Sequence, residues 1–178
     1  MNKEIAVTGT ASLSNSFLVD TIQVCVVTND MKRTLAGFVK MGIGPWSIYT
    51  FSPETVRDQT YMGRPERYSM GLALATSGNM LWEVIQPLEG PSIYKDFLAK
   101  HGEGIQHVAQ SCGTKTFDEK LADFAAHGCR MIQSGTWGPV RYAYFGTEEL
   151  IGTTVEIFNF PEGFIFPEPE EWYPARPA

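Results

Sequence analysis

The chain has 178 residues, with 14 Lys and Arg against 20 Asp and Glu, giving a formal net charge of −6. With no basic run in that acidic balance, there is no electrostatic case for a nucleic-acid partner or an anionic membrane surface. Hydrophobic residues at 43% and charged residues at 19% exclude a disordered chain and suit one compact domain, or two small repeats sharing a core.

Residues 1–16 are small and polar and are expected to form an N-terminal arm. From Phe17 to Thr28 the composition is β-rich, with Ile22, Val24, Val26 and Val27. Asp30 is placed to cap a helix whose apolar positions Met31, Leu35, Phe38 and Val39 recur at helical spacing until Gly42 and Gly44-Pro45. Trp46 to Phe51 reads as a strand, and the polar stretch from Ser52 to Arg67 as a long loop. Met70 to Ala75 and Met80 to Ile85 read as a hairpin around Ser77-Gly78-Asn79. Pro91-Ser92 opens a short helix that Gly102 stops. Ile105 to Ser111 is again a strand, and Phe117 to His127 an amphipathic helix closed by Gly128. Met131 to Gln133, Val140 to Phe145 and Thr153 to Phe158 follow as strands. The proline-rich tail from Pro161 is expected to run extended, packed by Phe164, Phe166, Trp172 and Tyr173.

The order repeats. A strand opening with Ile22-Gln23-Val24 leads into a helix and further strands, the last of them carrying Glu83. A strand holding Gln106-His107-Val108 leads into a helix and further strands, the last carrying Glu156. The expected organisation is an arm 1–16, a first βαβββ module 17–90, a linker helix 91–104, a second βαβββ module 105–160 and a tail 161–178. The expected fold is α+β, the two modules forming a curved, half-open barrel around a metal site.

An unpaired carboxylate in an apolar strand is costly, so it must be solvated, paired or metal-bound. Glu83 and Glu156 occupy the same place in the repeated unit, each matched by a polar residue, Gln23 or His107, on that unit's first strand. One imidazole, one amide and two carboxylates make a mixed N/O donor set. It suits one divalent ion per chain of the kind Zn²⁺, Ni²⁺, Co²⁺, Mn²⁺ or Fe²⁺. Cys25, Cys112 and Cys129, odd in number and without a C-x-x-C pair, read as buried thiols in a reducing compartment. No stretch approaches the roughly 20 apolar residues of a membrane span, and the cytoplasm is the expected location. A homodimer is the expected assembly.

The run QVCVVTNDMKRTLAGFVKMGIGP from Gln23 to Pro45 and the run LWEVIQPLEGPSIYKDFLAKHGEGIQHVA from Leu81 to Ala109 resemble the methylmalonyl-CoA epimerases. The closing GTTVEIFN resembles the last ligand strand of the wider vicinal-oxygen-chelate superfamily. Carried over by this resemblance, the metal positions fall on Gln23, Glu83, His107 and Glu156. The epimerases usually have His at the first of these and an amide at the second. The set found here is similar to that of the zinc-type glyoxalase I. Val27 stands where that enzyme's glutathione-anchoring Arg would be, and its Asp-Pro-Asp-Gly turn is missing, so the resemblance does not extend to glutathione. The second catalytic Glu of the epimerases would fall near Glu66 or Arg67, and their double His is reduced to Gln106-His107.

The resemblance implies a metal-dependent isomerase or lyase that removes a proton next to a metal-chelated carbonyl. Glu156 is the first candidate base and Glu83 the second. Trp46, Tyr49, Tyr68, Trp137, Tyr142 and Tyr144 are expected to wall the pocket, which suggests a bulky or aromatic carbonyl substrate; Tyr61 and Trp82 belong to the same group. His101 and His127 are expected at the surface. Two alternatives stay open: a non-haem metal ring-cleaving dioxygenase, which ordinarily needs a second His, and a metal-free small-molecule binding protein.

Overall fold

Alternating side chains make β1 (Thr21–Val27) the pivot of the fold: Gln23, Cys25 and Val27 are buried on one face while Ile22, Val24 and Val26 are half-buried on the other. The computed structural model describes residues 17–177, so the expected arm 1–16 lies outside the described residues. After β1, the Asp30 carboxylate accepts from the Arg33 amide at 3.0 Å and starts α1 (Met31–Lys40). The chain continues through β2 (Trp46–Phe51), β3 (Val56–Tyr61), β4 (Arg64–Pro65), β5 (Met70–Ser77) and β6 (Met80–Pro87). Ser92 caps α2 (Ile93–His101), and Gly102 at φ 77° ends it. Then come β7 (Gly104–Gln110), α3 (Phe117–Ala126) with a Thr116/Glu119 capping box, β8 (Met131–Trp137) and β9 (Val140–Phe145). The short α4 (Glu148–Ile151), β10 (Thr154–Asn159) and β11 (Glu171–Tyr173) complete the chain.

The strands form one curved, open sheet in the order β11-β2-β5-β6-β1-β7-β10-β9-β8-β3-β4, and the fold is α+β. β1 pairs parallel with β6 and antiparallel with β7, while β7 pairs parallel with β10. One face carries the shared core, with Cys25, Val27, Tyr49, Phe51, Leu72, Ile85, Tyr142 and Phe158 among its members. The other face is covered by α1, through Met31 and Leu35 against Trp46 and Val84, and by α3, through Phe117 and Phe124 against Phe145 and Ile157. No helix among the described residues is long and apolar enough to cross a membrane.

The stretch from Ser52 to Arg67, expected as a loop, contains β3 and β4. Its pairing partner is far away in sequence: Val56 lies opposite Trp137 and Tyr61 opposite Gln133 on β8. Arg57 and Asp58 are exposed, and Asp58 sits at φ 54° where the register slips. A polar, bulged strand of this kind, one short strand in from the sheet edge, lacks the apolar alternation by which a strand is recognised. The tail also does more than run extended, since β11 adds to β2 with Trp172 opposite Ser47.

Candidate metal centre

Two neighbouring rows of the sheet build the site. In one, Glu83 on β6, Cys25 on β1 and His107 on β7 lie side by side. In the next, Gln23 on β1, Ala109 on β7, Glu156 on β10 and Tyr144 on β9 lie side by side. The small residues Cys25 and Ala109, both fully buried, stand between the larger donors and leave the space above them free.

The four sequence-expected donors meet in that space. Gln23 Nε2 donates to Glu83 Oε2 at 3.1 Å and to Glu156 Oε2 at 3.2 Å. His107 Nε2 is 3.1 Å from the same Glu83 oxygen and 3.2 Å from the same Glu156 oxygen. All four residues are at most 5% exposed. Two carboxylates so deeply buried require a cation between them. Without a metal the cation is His107 itself. Burial alone would lower its pKa, but Glu156 and Glu83 together outweigh burial and push it up to about 9. Burial raises the Glu156 pKa, His107 opposes that rise, and the Glu83 charge adds to it.

The arrangement also fits a divalent ion. Adjacent donor atoms about 2.0–2.2 Å from one ion lie roughly 3 Å apart, and Gln23 and His107 each stand 3.1–3.2 Å from both carboxylates; the two carboxylates would have to draw closer together to share the ion. To hold such an ion the Gln23 amide would have to turn over, exchanging Nε2 for Oε1 at the same place, and His107 would have to give up its Nε2 proton. His107 Nδ1 faces Gln106 Oε1 at 2.6 Å, and Gln106 Nε2 in turn donates to Thr154 Oγ1 at 3.3 Å. A proton on Nδ1 would have an acceptor there, which would leave Nε2 free to face a metal. The β1–β7 register slips by one residue here, pairing Cys25 with His107 and Val26 with Ile105. Gln106 is the residue left over.

Sequence reasoning passed over two contributors. Cys25 Sγ, a Glu83 oxygen and a His107 nitrogen lie within 4.8 Å of one another. Burial first, then the Glu83 charge, raises the Cys25 pKa well above the ordinary thiol value. The only signal in the sequence was its position two residues after Gln23, on the same strand face. Tyr94 on α2 is the second: its hydroxyl donates to Tyr144 Oη at 2.9 Å, and Tyr144 stands opposite Glu156 across the β9–β10 pair. Burial, reinforced by nearby charged groups, holds both phenols well above their ordinary pKa, so both remain hydrogen-bond donors.

The donors lie at one end of a narrow cavity. Its other walls are apolar, among them Phe51, Leu72, Leu74, Val140, Phe158 and Phe166. Of the expected pocket aromatics, Trp137, Tyr142 and Tyr144 line this cavity. Tyr68 stands behind Tyr142, hydroxyl to hydroxyl at 3.2 Å, and Tyr49 lines a neighbouring cavity. Trp46 does not belong to the pocket. Alternation along β2 turns it to the opposite face, where it packs on Phe38 of α1 and donates from Nε1 to Ile43 O at 2.9 Å. Trp82 also packs on Phe38, and the Tyr61 hydroxyl donates to Asp96 near the surface. Neither His101, bonded to Glu148 at 2.8 Å, nor His127, stacked on Phe17 at 3.9 Å, approaches the donors. Glu66 folds back onto the Arg67 amide at 2.9 Å.

A curved sheet with inward-facing donors from β1, β6, β7 and β10 defines the class known as the vicinal oxygen chelate fold. The family model described as Glyoxalase/Bleomycin resistance protein/Dioxygenase superfamily matches residues 22–145, and the chain belongs to that superfamily. Hypothetical protein BH1468 from Bacillus halodurans C-125 is 18% identical, with a TM-score of 0.62 over 83% of this chain and 98% of its own. Methylmalonyl-CoA epimerase from Mycobacterium tuberculosis is 16% identical, with a TM-score of 0.57 over 85% of this chain and 95% of its own. A Streptomyces coelicolor methylmalonyl-CoA epimerase variant in complex with 2-nitronate-propionyl-CoA is 21% identical, with a TM-score of 0.55 over 79% of this chain and 94% of its own. These similarities are of fold. No curated protein sequence matches the chain.

Proposed function

We propose that the chain is a metal-dependent isomerase or lyase that removes a proton from the carbon next to a metal-held carbonyl. The observation that carries this reading is the set of four buried polar residues at the end of an apolar cavity, in which Gln23 and His107 each lie 3.1–3.2 Å from both Glu83 and Glu156. The two carboxylates would offset a divalent charge, and the neutral Gln23 adds none. Zn²⁺, Ni²⁺, Co²⁺, Mn²⁺ and Fe²⁺ all suit such donors. A divalent ion bound there would polarise a substrate carbonyl oxygen and acidify the adjacent C–H.

Glu156 is the proposed base. Its carboxylate lies at the cavity wall, and Tyr144 stands opposite it on β9. Glu156 accepts the proton and returns it to the same carbon, to a neighbouring carbon or to a leaving group. Those three fates correspond to epimerisation, double-bond migration and elimination, and none needs a redox cofactor. Glu83, also at the cavity wall, is the second candidate. The apolar walls keep water from the exposed carbanion side. The dioxygenase alternative finds no second His at these donors, because His101 and His127 are engaged elsewhere.

The test has two parts. Elemental analysis of protein purified without chelators should find about one divalent metal per chain. A panel of 2-oxo, 1,3-dicarbonyl and aryl-ketone compounds should then reveal one that takes deuterium from heavy water on the carbon beside its carbonyl. Glu156→Gln should slow that exchange by about 10² or more, the scale of general-base catalysis. A metal-free protein would favour the binding-protein alternative. Oxygen uptake with ring-opened product and no exchange would favour the dioxygenase.

A further inference from the structure

The narrow cavity that ends at the donors is walled largely by buried side chains, with Leu81 and Trp137 half-buried. Among the described residues that line it, Phe160 and Phe166 are the two that are exposed, at 42% and 38%. A side chain that both lines a cavity and meets solvent stands at its mouth. Both rings come from the chain that follows β10, so the C-terminal segment builds one side of the entrance.

Local chemistry holds that segment in place. The Phe164 amide donates to Pro161 O at 3.0 Å, and Gly163 at φ 73° allows the tight turn between them. The turn brings three rings together. Phe160 stacks on Phe164 at 5.1 Å, and Phe166 lies 5.2 Å from the first and 5.1 Å from the second. Trp137 of β8 stands 6.3 Å from Phe166. Beyond the rings, the Tyr49 hydroxyl donates to Pro167 O at 3.0 Å. The Glu170 carboxylate accepts from the Thr50 amide and hydroxyl at 2.7 and 2.8 Å, and β11 pairs with β2. The segment is thus tied to the sheet on both sides of Phe160 and Phe166.

Packing of the fold accounts for Phe164, which lies half-buried against the shared core. It does not account for Phe160 and Phe166, which stay exposed side by side. Adjacent apolar surface of this kind at the mouth of a cavity marks a place where a ligand is held. Aromatic rings pair offset or edge-on with a gain beyond that of burial. No Lys or Arg lines the cavity among the described residues, so nothing in its wall selects an anionic group.

Resting on the metal-site reading for the position of the carbonyl end, we propose that Phe160 and Phe166 are specificity-determining residues. They hold the aromatic ring of a neutral, aryl-bearing carbonyl substrate at the mouth, while its slender carbonyl end enters the cavity.

The test uses two neutral 1,3-diketones that share a methyl end and carry phenyl or cyclohexyl on a two-carbon spacer. The spacer keeps the chelating end the same in both. Each is titrated calorimetrically into the full chain, with zinc added and with chelator added. The phenyl probe should bind about fivefold tighter, the scale of one aromatic pair. Burial alone predicts equal binding or the reverse order, because cyclohexyl carries at least as much apolar surface. The double variant Phe160→Leu, Phe166→Leu keeps the mouth apolar and should bring the ratio to about one, with zinc content as in the wild type. Overhauser contacts between the phenyl probe and labelled Phe rings should appear in the wild type and weaken in the double variant. Equal binding of the two probes, a phenyl preference that survives the double variant, or no binding of either probe would each overturn the proposal. The last includes the case in which a second copy of the chain covers the mouth through Ile165, 85% exposed. Zinc uptake is measured separately. A Phe-dependent preference in a chain that takes up no zinc sinks the metal reading alone, and zinc uptake with no preference sinks the proposal for the mouth alone.

Discussion

Replacing Glu83 by Gln should stabilise the metal-free chain while weakening its hold on metal. Glu83 and Glu156 each place an oxygen 3.1–3.2 Å from the one His107 Nε2. With His107 pushed up to about 9, it is cationic at neutral pH and two carboxylates compete for it. At an effective dielectric of about 20, the attraction of unit charges roughly 3 Å apart is about 5 kcal/mol, and the repulsion at roughly 5 Å about 3 kcal/mol. Burying one carboxylate adds a penalty of several kcal/mol. Removing the Glu83 charge therefore gives up the first quantity and relieves the other two. The carbonyl oxygen of the substituted amide can still accept from His107. The balance favours the variant by about 1–2 kcal/mol, and each kcal/mol moves Tm by about 2–4 °C in a chain of this size. The assay is thermal unfolding in excess chelator, followed by zinc titration of the same samples. Glu83→Gln should melt higher in chelator and bind zinc at least about tenfold more weakly, because a neutral amide no longer offsets the divalent charge. A variant that melts lower in chelator and binds zinc like the wild type would refute the reasoning, since Glu83 would then be a structural partner rather than a donor.

Two further outcomes test the frame around the site. A Cβ on Gly135 would stand 2.3 Å from Tyr142 Oη and 2.9 Å from Val56 Cγ1. Gly135→Ala should thus lower stability in urea by about 1–3 kcal/mol, the range for overpacking. At the surface, the Arg33 guanidinium, with the Asn29 amide and Thr28 hydroxyl, holds the Glu103 carboxyl down to about 2. Because this folded-state pKa is depressed, the stabilisation is present above the ordinary carboxylate pKa and is lost as pH falls through about 2. A carbon-detected titration should find that low midpoint, and Arg33→Ala should return it toward the ordinary value.

The donors were legible in sequence because their chemistry is out of place where they stand. Glu83 and Glu156 interrupt strands of apolar residues, and each recurs at the same point of a repeated order that begins with Gln23 or carries His107. Helices α1 and α3 were legible for a local reason too, since the Asp30 cap, the apolar spacing of each helix and the glycine beyond each end all lie within a few turns of one another; the Thr116/Glu119 capping box came only with the structure. Trp46 falls outside the pocket because sequence marks the boundaries of β2 but not its faces. Nothing in WSIYTF says which of two apolar sets meets α1.

What the sequence determined by itself is therefore local or periodic: the helices, most strands, the acidic donors and the His that joins them. Tertiary structure decided which distant backbones pair and what lies between donors. β3 is a strand only because β8 offers it partners, and β11 only because β2 does. Cys25 and Ala109 matter through what they leave unfilled, and Tyr94 through a hydroxyl remote from it in the chain. Sheet hydrogen bonds and the space between side chains are relations between residues far apart in sequence, and no window along the chain contains both members.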